Sequence, residues 1–524
     1  MVEIQNLGAP AIVAGGTSHQ LGDAVGRRVA PPLGAPPGAG RIRTVTSAPQ
    51  VACDRDDAEA GRRGVLEAIA LGITAWSQRW FPDTFIFALL ALASVVFGAL
   101  LIGARPSAIA MAFGDGFWNL IPFTMQMVMV VITGHVVASA RPTDRLIKKL
   151  AGLPRSGRGA VVYVAIVSMT ASLLSWAMSV IVGGLLAREL AQRRELRMDY
   201  RAAGAAAYLG LGATWTLGLS SSAAQLQANP ESMPKELLAI SGVIPFTKTI
   251  FLWQSIVIAA AIMMIAGAVA YLSAPKSDRA VTAESLGIEV TTRENPVSAP
   301  RRPGEWLEHS PILTLFLISL GCGWLLQEFA ARSAIVVISS LNAYNLALLL
   351  LGLLLHWRPR RFLDAFSTAV SATAGILIQF PIYAGLGAIL VHATGDYGLS
   401  GRLATIGAHA ASTDSFPVLV GLCSAFTGIF LPSSGGRWII EAPFIMQAAN
   451  GLHVSLGWAV VSFNAAGALP NLINPFWMAP LLGILRLNAR DLMGFTLTQF
   501  LVLGPIVLTL LWALAKTLSS HPLV

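Results

Sequence analysis

The chain has 524 residues, of which 55% are hydrophobic and only 12% charged, with a formal net charge of +9. A soluble domain carries about a quarter charged residues, so this balance excludes an ordinary soluble globular protein. The basic excess sits in a few short loops without an aromatic-rich basic patch, which points to membrane orientation and not to a nucleic-acid partner. Cys53, Cys322 and Cys423 are scattered without metal-ligand spacing, so neither a metal site nor a disulfide is expected.

Residues 1–63 open the chain with Arg27-Arg28, Pro31-Pro32 and Pro36-Pro37 and have no continuous apolar stretch. They read as a disordered cytoplasmic extension and not as a signal peptide. Beyond them come apolar runs near the ~18 residues that cross a bilayer, such as Phe85–Ile102, Met125–Val137, Ile250–Leu272 and Phe495–Leu514. These runs do not alternate polar and apolar residues, so they predict helices and not a barrel.

Residues 64–272 are expected to form a first membrane repeat. Basic residues at Arg141–Arg158 and again at Arg188–Arg201 bracket one apolar stretch. If both loops are cytoplasmic, that stretch must enter the membrane and return. A re-entrant hairpin with two short arms is therefore predicted near 159–187, turning at Ser175-Trp176 or at Gly183-Gly184. Residues 273–309, with balanced charge and interspersed proline, predict a solvated cytoplasmic linker. Residues 310–524 then supply a connecting helix and a second repeat. Its hairpin, near 416–449, is broken at Leu431–Gly436 and enters from the opposite face. The fold expected is an all-α polytopic membrane protein of two inverted-topology repeats with re-entrant helical hairpins and about ten transmembrane helices. Its place is the cell inner membrane, with a cytoplasmic N-terminus.

Polar groups at expected membrane depth cluster where helices break. The hairpins read SLLSWAMSVIVGG, Ser172 to Gly184, and LPSSGGRWIIEAP, Leu431 to Pro443. A polar interruption follows each: Thr214-Trp215-Thr216 to Ser220-Ser221-Ser222, and Asn471 to Asn474-Pro475. A broken helix leaves free N–H groups that can hold a carboxylate near the midplane. Close helix packing is the plainer account of Ser220–Ser222, whereas Pro with Gly at 432–436 breaks a helix outright. Arg437 and Glu441, four residues apart, share one helix face, so a structural ion pair is the plain expectation. The functional one is that Arg437 attracts a substrate carboxylate while Glu441 couples proton movement. His135 is a second coupling candidate, with a structural role the plainer one. Gln126 and Gln379 are expected to bond between helices. No catalytic motif of the HExxH, GxSxG or Walker A type occurs, and no cofactor is implied. The nearest pair for acyl transfer is His409 with Asp414.

Six segments in shared order, WFPDTFIFALL, GDGFWNLIPFTMQMVMVVITGH, GGLLARE, TAGILIQFPIYAG, PSSGGRWIIEAPFI and NPFWMAP, resemble the short-chain fatty acid transporter family over roughly Leu66–Leu514. The resemblance implies an outer scaffold with an inner part carrying hairpins, whose tips flank the substrate. By it, Ser175, Ser179, Ser433, Ser434, Gly435, Gly436 and, less directly, Asn474 contact the substrate. It further implies secondary active transport of butyrate- and acetoacetate-like monocarboxylates, driven by a proton or sodium gradient, and a homodimer as the common assembly. Few membrane charges suit one carboxylate with a short apolar tail, for which Trp176, Trp438 and Phe476 are candidate linings. The alternatives are another small organic anion such as a dicarboxylate, or a membrane sensor that does not transport.

Overall fold

The computed structural model describes residues 84–290, 302, 304–393, 398–431, 433–474 and 477–518, all within the compact unit Arg63–Val524. The N-terminal extension, residues 291–301 of the linker, and Pro432, Pro475 and Phe476 lie outside the described residues. Every regular element described is helical, with no strand among them.

The first half runs α1 (Thr84–Leu101), α2 (Pro106–Phe117), α3 (Ile121–Ala138), α4 (Arg141–Ala151), α5 (Gly157–Leu174), α6 (Trp176–Ala191), α7 (Tyr200–Leu209), α8 (Ser222–Ala228), α9 (Lys235–Ser241) and α10 (Trp253–Ser273). The second runs α11 (Glu305–His309), α12 (Ile312–Ala331), α13 (Ala334–Ser339), α14 (Leu341–His356), α15 (Pro359–Val370), α16 (Ala374–His392) and α17 (Gly398–Ala410). It ends with α18 (Phe416–Phe430), α19 (Ser434–Gly451), α20 (Leu456–Gly467), α21 (Ala479–Leu485) and α22 (Ala489–Ala515).

Proline in the first turn starts α2, α3 and α4, where its missing N–H costs nothing. Six helices, α3, α5, α10, α12, α16 and α22, are 18 to 27 residues long and apolar enough to cross a membrane. At about 1.5 Å per residue the shortest spans about 27 Å, close to the ~30 Å hydrocarbon core. Shorter apolar helices lie at Ala88–Leu101, Leu341–His356 and Phe416–Ile429. Burial sorts these by position: 72% of the apolar stretch of α16 and 67% of that of α3 are inside the protein, against 11% for α12. The first two are central, and α12 presents its sides to lipid. By contrast α4 is amphipathic, with Ile147 and Ala151 buried and Asp144 paired to Lys148 at 2.8 Å on its open face.

The order hairpin, broken helix, long apolar helix recurs in both halves. In the first it is α5/α6, then α7 to α8, then α10; in the second α18/α19, then α20 to α21, then α22. The first hairpin turns at Ser175 alone, whose backbone is extended (φ −151°, ψ 122°). Its arms are 18 and 16 residues, longer than the short arms expected. The alternative turn at Gly183-Gly184 is overturned, because both glycines lie inside α6. A Cβ at Gly183 would sit 3.1 Å from Ser168 Oγ and 2.9 Å from the Ala207 carbonyl, so that glycine serves close packing of α6 against α5 and α7.

Residues 274–290 of the linker keep mostly exposed or half-buried side chains and are also tied to the end of the first hairpin. Asp199, 2% exposed, caps α7 through the Arg201 and Ala202 N–H groups and also accepts the Val281 N–H at 3.0 Å. Tyr200 N–H donates to the Val281 carbonyl at 2.8 Å, and Arg188 donates to Val290 and to Ile484 of α21. The reason is the buried carboxylate and the free helix-end groups, which composition alone does not reveal.

Candidate functional site

Each hairpin docks on the broken helix that follows it. In the first half Ser168 Oγ donates to the Ala207 carbonyl at 2.6 Å, and Ser172 and Thr214 share a 2.7 Å hydroxyl contact. The helix continuing α7 passes through a π-turn at Gly210–Thr214 and a 3-10 turn at Trp215–Leu217 before it stops. Gly218 then lies directly against the Leu173 backbone, where any side chain would collide, and Leu219 N–H reaches the Leu173 carbonyl at 2.7 Å. The second half repeats this: Ser424 Oγ donates to the Phe463 carbonyl at 2.9 Å, and Gly421 faces Ala466. α20 gives way to a 3-10 turn at Leu469–Leu472.

The two breaks meet. Asn464 is their common residue: its amide donates to Ser221 Oγ at 3.1 Å, its carbonyl oxygen faces Ser434 Oγ at 3.4 Å, and its backbone carbonyl accepts Thr216 Oγ1 at 3.0 Å. Between hairpin tips and breaks is a small cavity lined by Met127, Trp176, Leu211, Trp215, Ser222, Ile376, Phe380, Ser433, Ser434, Asn471 and Trp477. It leaves about 30 Å³ for the centres of water-sized spheres, room for about two waters. Its polar lining residues are Ser222, Ser433, Ser434 and Asn471. Among its apolar ones, Trp176 lies 5.3 Å from Trp477 and 6.1 Å from Trp215. Among the described residues that line it, none is charged.

Of the residues singled out in the sequence, Ser433 and Ser434 line this cavity, and Ser433 caps α19 by accepting the Gly436 N–H at 3.3 Å. Gly435 packs on Ser222, where a Cβ would come within 2.9 Å. Gly436 lies on the Tyr383 ring with no room for a side chain. Ser175 caps α6 from the tip, and Ser179 turns back to the Trp176 carbonyl at 2.8 Å; both are fully buried just behind the Trp176 wall.

The remaining candidates lie elsewhere. Asn474 donates to the Ile429 carbonyl at 3.1 Å, tying the broken helix to the end of α18. Arg437, 2% exposed, points between the hairpin arms instead of into the cavity. Its Nη1 donates to the carbonyl and hydroxyl of Ser424 and, at 3.3 Å, to Thr427; its Nη2 reaches the Gly467 carbonyl at 2.8 Å. The guanidinium stands 5.0 Å over the Phe463 ring. Glu441 accepts the Thr427 hydroxyl at 2.7 Å. The expected direct ion pair is therefore replaced by a relay, Arg437 to Thr427 to Glu441, because the arginine fork is aimed at the Ser424 carbonyl within α18 and the Gly467 carbonyl at the end of α20.

His135 lies eight residues along α3 from Met127, about 12 Å from the cavity at the helical rise. Gln126 bonds Asn342 at 2.9 Å and Ser232 at 2.7 Å, an interhelical role, and Gln379 accepts the Tyr383 hydroxyl at 3.0 Å. Trp438 is buried against Phe463 and donates to Gln227 at 3.2 Å, away from the cavity. His409 and Asp414 are both exposed and share no hydrogen bond among those described. Sequence reasoning missed Asn464, a single amide inside the apolar run of α20. It also missed the wall formed by Leu211, Ile376 and Phe380, which carries no polar signal.

The family model described as short chain fatty acid transporter matches residues 65–514. A curated Escherichia coli protein named "Putative short-chain fatty acid transporter" is 35% identical over 84% of this chain and 98% of its own length. A Haemophilus influenzae protein of the same name is 30% identical over 84% of this chain and 98% of that protein. Among solved structures, the Alcanivorax borkumensis YdaH transporter, whose topology is described as unusual, superposes with a TM-score of 0.54 at 16% identity, covering 83% of this chain and 98% of that one. Neisseria gonorrhoeae MtrF, described with a class of antimetabolite efflux pumps, gives 0.51 at 13% identity over 85% and 96%. These two share the fold alone.

Proposed function

This chain belongs to the short-chain fatty acid transporter family, and on that premise we propose that it is a secondary active transporter of butyrate- and acetoacetate-like monocarboxylates in the cell inner membrane. The recurring order of hairpin, broken helix and long helix supports two inverted repeats that close on the substrate from both sides. The observation that carries the reading is the cavity where both breaks meet. Its polar lining residues are Ser222, Ser433, Ser434 and Asn471, and its apolar ones include three indoles. A carboxylate can take hydroxyl and amide donors while its short tail lies on the rings.

The lack of charge in that lining favours one carboxylate over two. A dicarboxylate needs countercharge or a full set of donors for a second carboxylate; the indoles offer the unpartnered Trp215 N–H, and no cation stands among the described lining residues. With Arg437 held by the Ser424 and Gly467 carbonyls, countercharge must come from elsewhere, and a proton or sodium ion entering with the acid supplies it. Glu441, 4% exposed and held by Thr427, is the carboxylate we assign to proton coupling, should the proton be the driving ion.

The test is uptake of radiolabelled butyrate and acetoacetate into proteoliposomes with proton and sodium gradients imposed separately. Accumulation under one gradient, lowered in Ser433→Ala and Asn471→Ala, is expected. Failure of the wild-type protein to accumulate either acid under both gradients would overturn the reading.

A further inference from the structure

The cavity has one wall built to resist being pushed back. Trp176 is the first residue of α6, directly after the Ser175 tip. Its backbone N–H is held by Ser220 Oγ at 3.0 Å, and its carbonyl takes the Ser179 hydroxyl at 2.8 Å. The main chain is thus fixed from the broken helix and from its own helix. The indole lies between Trp215 and Trp477, tilted 58° to the first and edge-on at 71° to the second. It cannot swing aside without giving up one of these contacts. The lining also includes Met127, an unbranched side chain that refits easily.

We infer that Trp176 is the specificity-determining residue that limits acyl chain length, so that the site takes short unbranched acids and rejects longer ones at the indole. The inference rests on the cavity being the substrate site proposed above and names the substrate class within it. Space for about two waters is already less than a short acid needs, so binding must displace part of the lining, Met127 most readily. Further methylenes then meet Trp176, whose main chain is held. A methylene that does not fit an apolar pocket is discriminated by about 10-fold or more. Two extra methylenes, hexanoate against butyrate, are therefore discriminated by about 100-fold.

The experiment is competition of acetate, butyrate, hexanoate and octanoate against radiolabelled butyrate in proteoliposomes holding the full chain. Wild type, Trp176→Ala and Trp176→Phe are compared, with thermal unfolding of each as a folding check. In Trp176→Ala the preference for butyrate over hexanoate should shrink from about 100-fold to about 10-fold or less, with Trp176→Phe between. An unchanged ratio in both variants overturns the inference. So does an equal weakening of butyrate and hexanoate in both folded variants, up to loss of all uptake, because the indole then serves binding in general and not chain length. A wild-type protein that does not take butyrate at all refutes the assignment of the site itself, and the two failures are told apart by that control.

Discussion

Arg437→Met tests whether the second hairpin is held by a buried guanidinium. Methionine fills much of the volume but donates nothing. Arg437 bonds Ser424 of α18 and Gly467 at the end of α20, so one side chain fixes two helices to a third. The Gly467 carbonyl has little alternative, because the residue three on is Pro470, which has no N–H. Leaving a buried carbonyl unpaired costs about 1–3 kcal/mol, and each bond from a charged donor contributes about 1.5–3 kcal/mol. Glu441 also loses a nearby positive charge, but through the Thr427 relay and not through a direct pair.

These terms overlap, so the expected loss is about 1.5–3 kcal/mol for Arg437→Met. Arg437→Lys should recover part of it, since one ammonium cannot span Ser424 and Gly467 as a fork does. Arg437→Met with Glu441→Gln should be more stable than Arg437→Met alone. The assay is denaturant-induced unfolding in a fixed detergent, followed by tryptophan fluorescence at constant temperature. Wild-type stability in Arg437→Met would refute the reasoning. Full recovery in Arg437→Lys would show that the fork geometry is not needed.

Gly436→Ala pushes a methyl group into the Tyr383 ring and should lower stability by about 1–3 kcal/mol in the same unfolding assay, as overpacking does. Asp199→Ala removes the α7 cap and the anchor of the strap at 274–290; a loss of about 0.5–2 kcal/mol is expected, with faster hydrogen exchange at Val281 as the local readout. Asn471→Ala should raise the KM for butyrate with little change in unfolding, whereas Asn474→Ala, which frees the Ile429 carbonyl, should lower stability by about 1 kcal/mol first. His409→Ala, at an exposed position, should leave uptake unchanged.

Much of the fold was legible because the bilayer imposes length and apolarity directly on the chain. The runs Phe85–Ile102, Met125–Val137, Ile250–Leu272 and Phe495–Leu514 correspond to α1, α3, α10 and α22 within a few residues. The breaks at Ser175 and at 431–433 were marked by serine, glycine and proline inside apolar sequence, residue types that often interrupt helices, although Gly183, Gly435, Gly436 and Pro443 lie inside them here. Ser433 and Ser434 could be picked as cavity residues for the same reason. The family pattern depended only on order along the chain and could likewise be read without coordinates.

The tertiary structure alone decided what each polar group faces. Gly183 and Ser175 look alike as potential turns, but only the packing of α6 on α5 and α7 assigns one to helix contact and the other to the tip. Arg437 and Glu441 have the spacing of an ion pair, yet the position of Ser424 and Gly467, thirteen and thirty residues away, draws the guanidinium toward carbonyls instead. The indoles of Trp176, Trp215 and Trp477 come from separate segments and form one wall only when both breaks meet at Asn464. Local sequence fixes where a helix starts and stops, because that depends on neighbours in the chain. The direction of a buried side chain depends on the nearest unpaired partner, which folding brings from elsewhere.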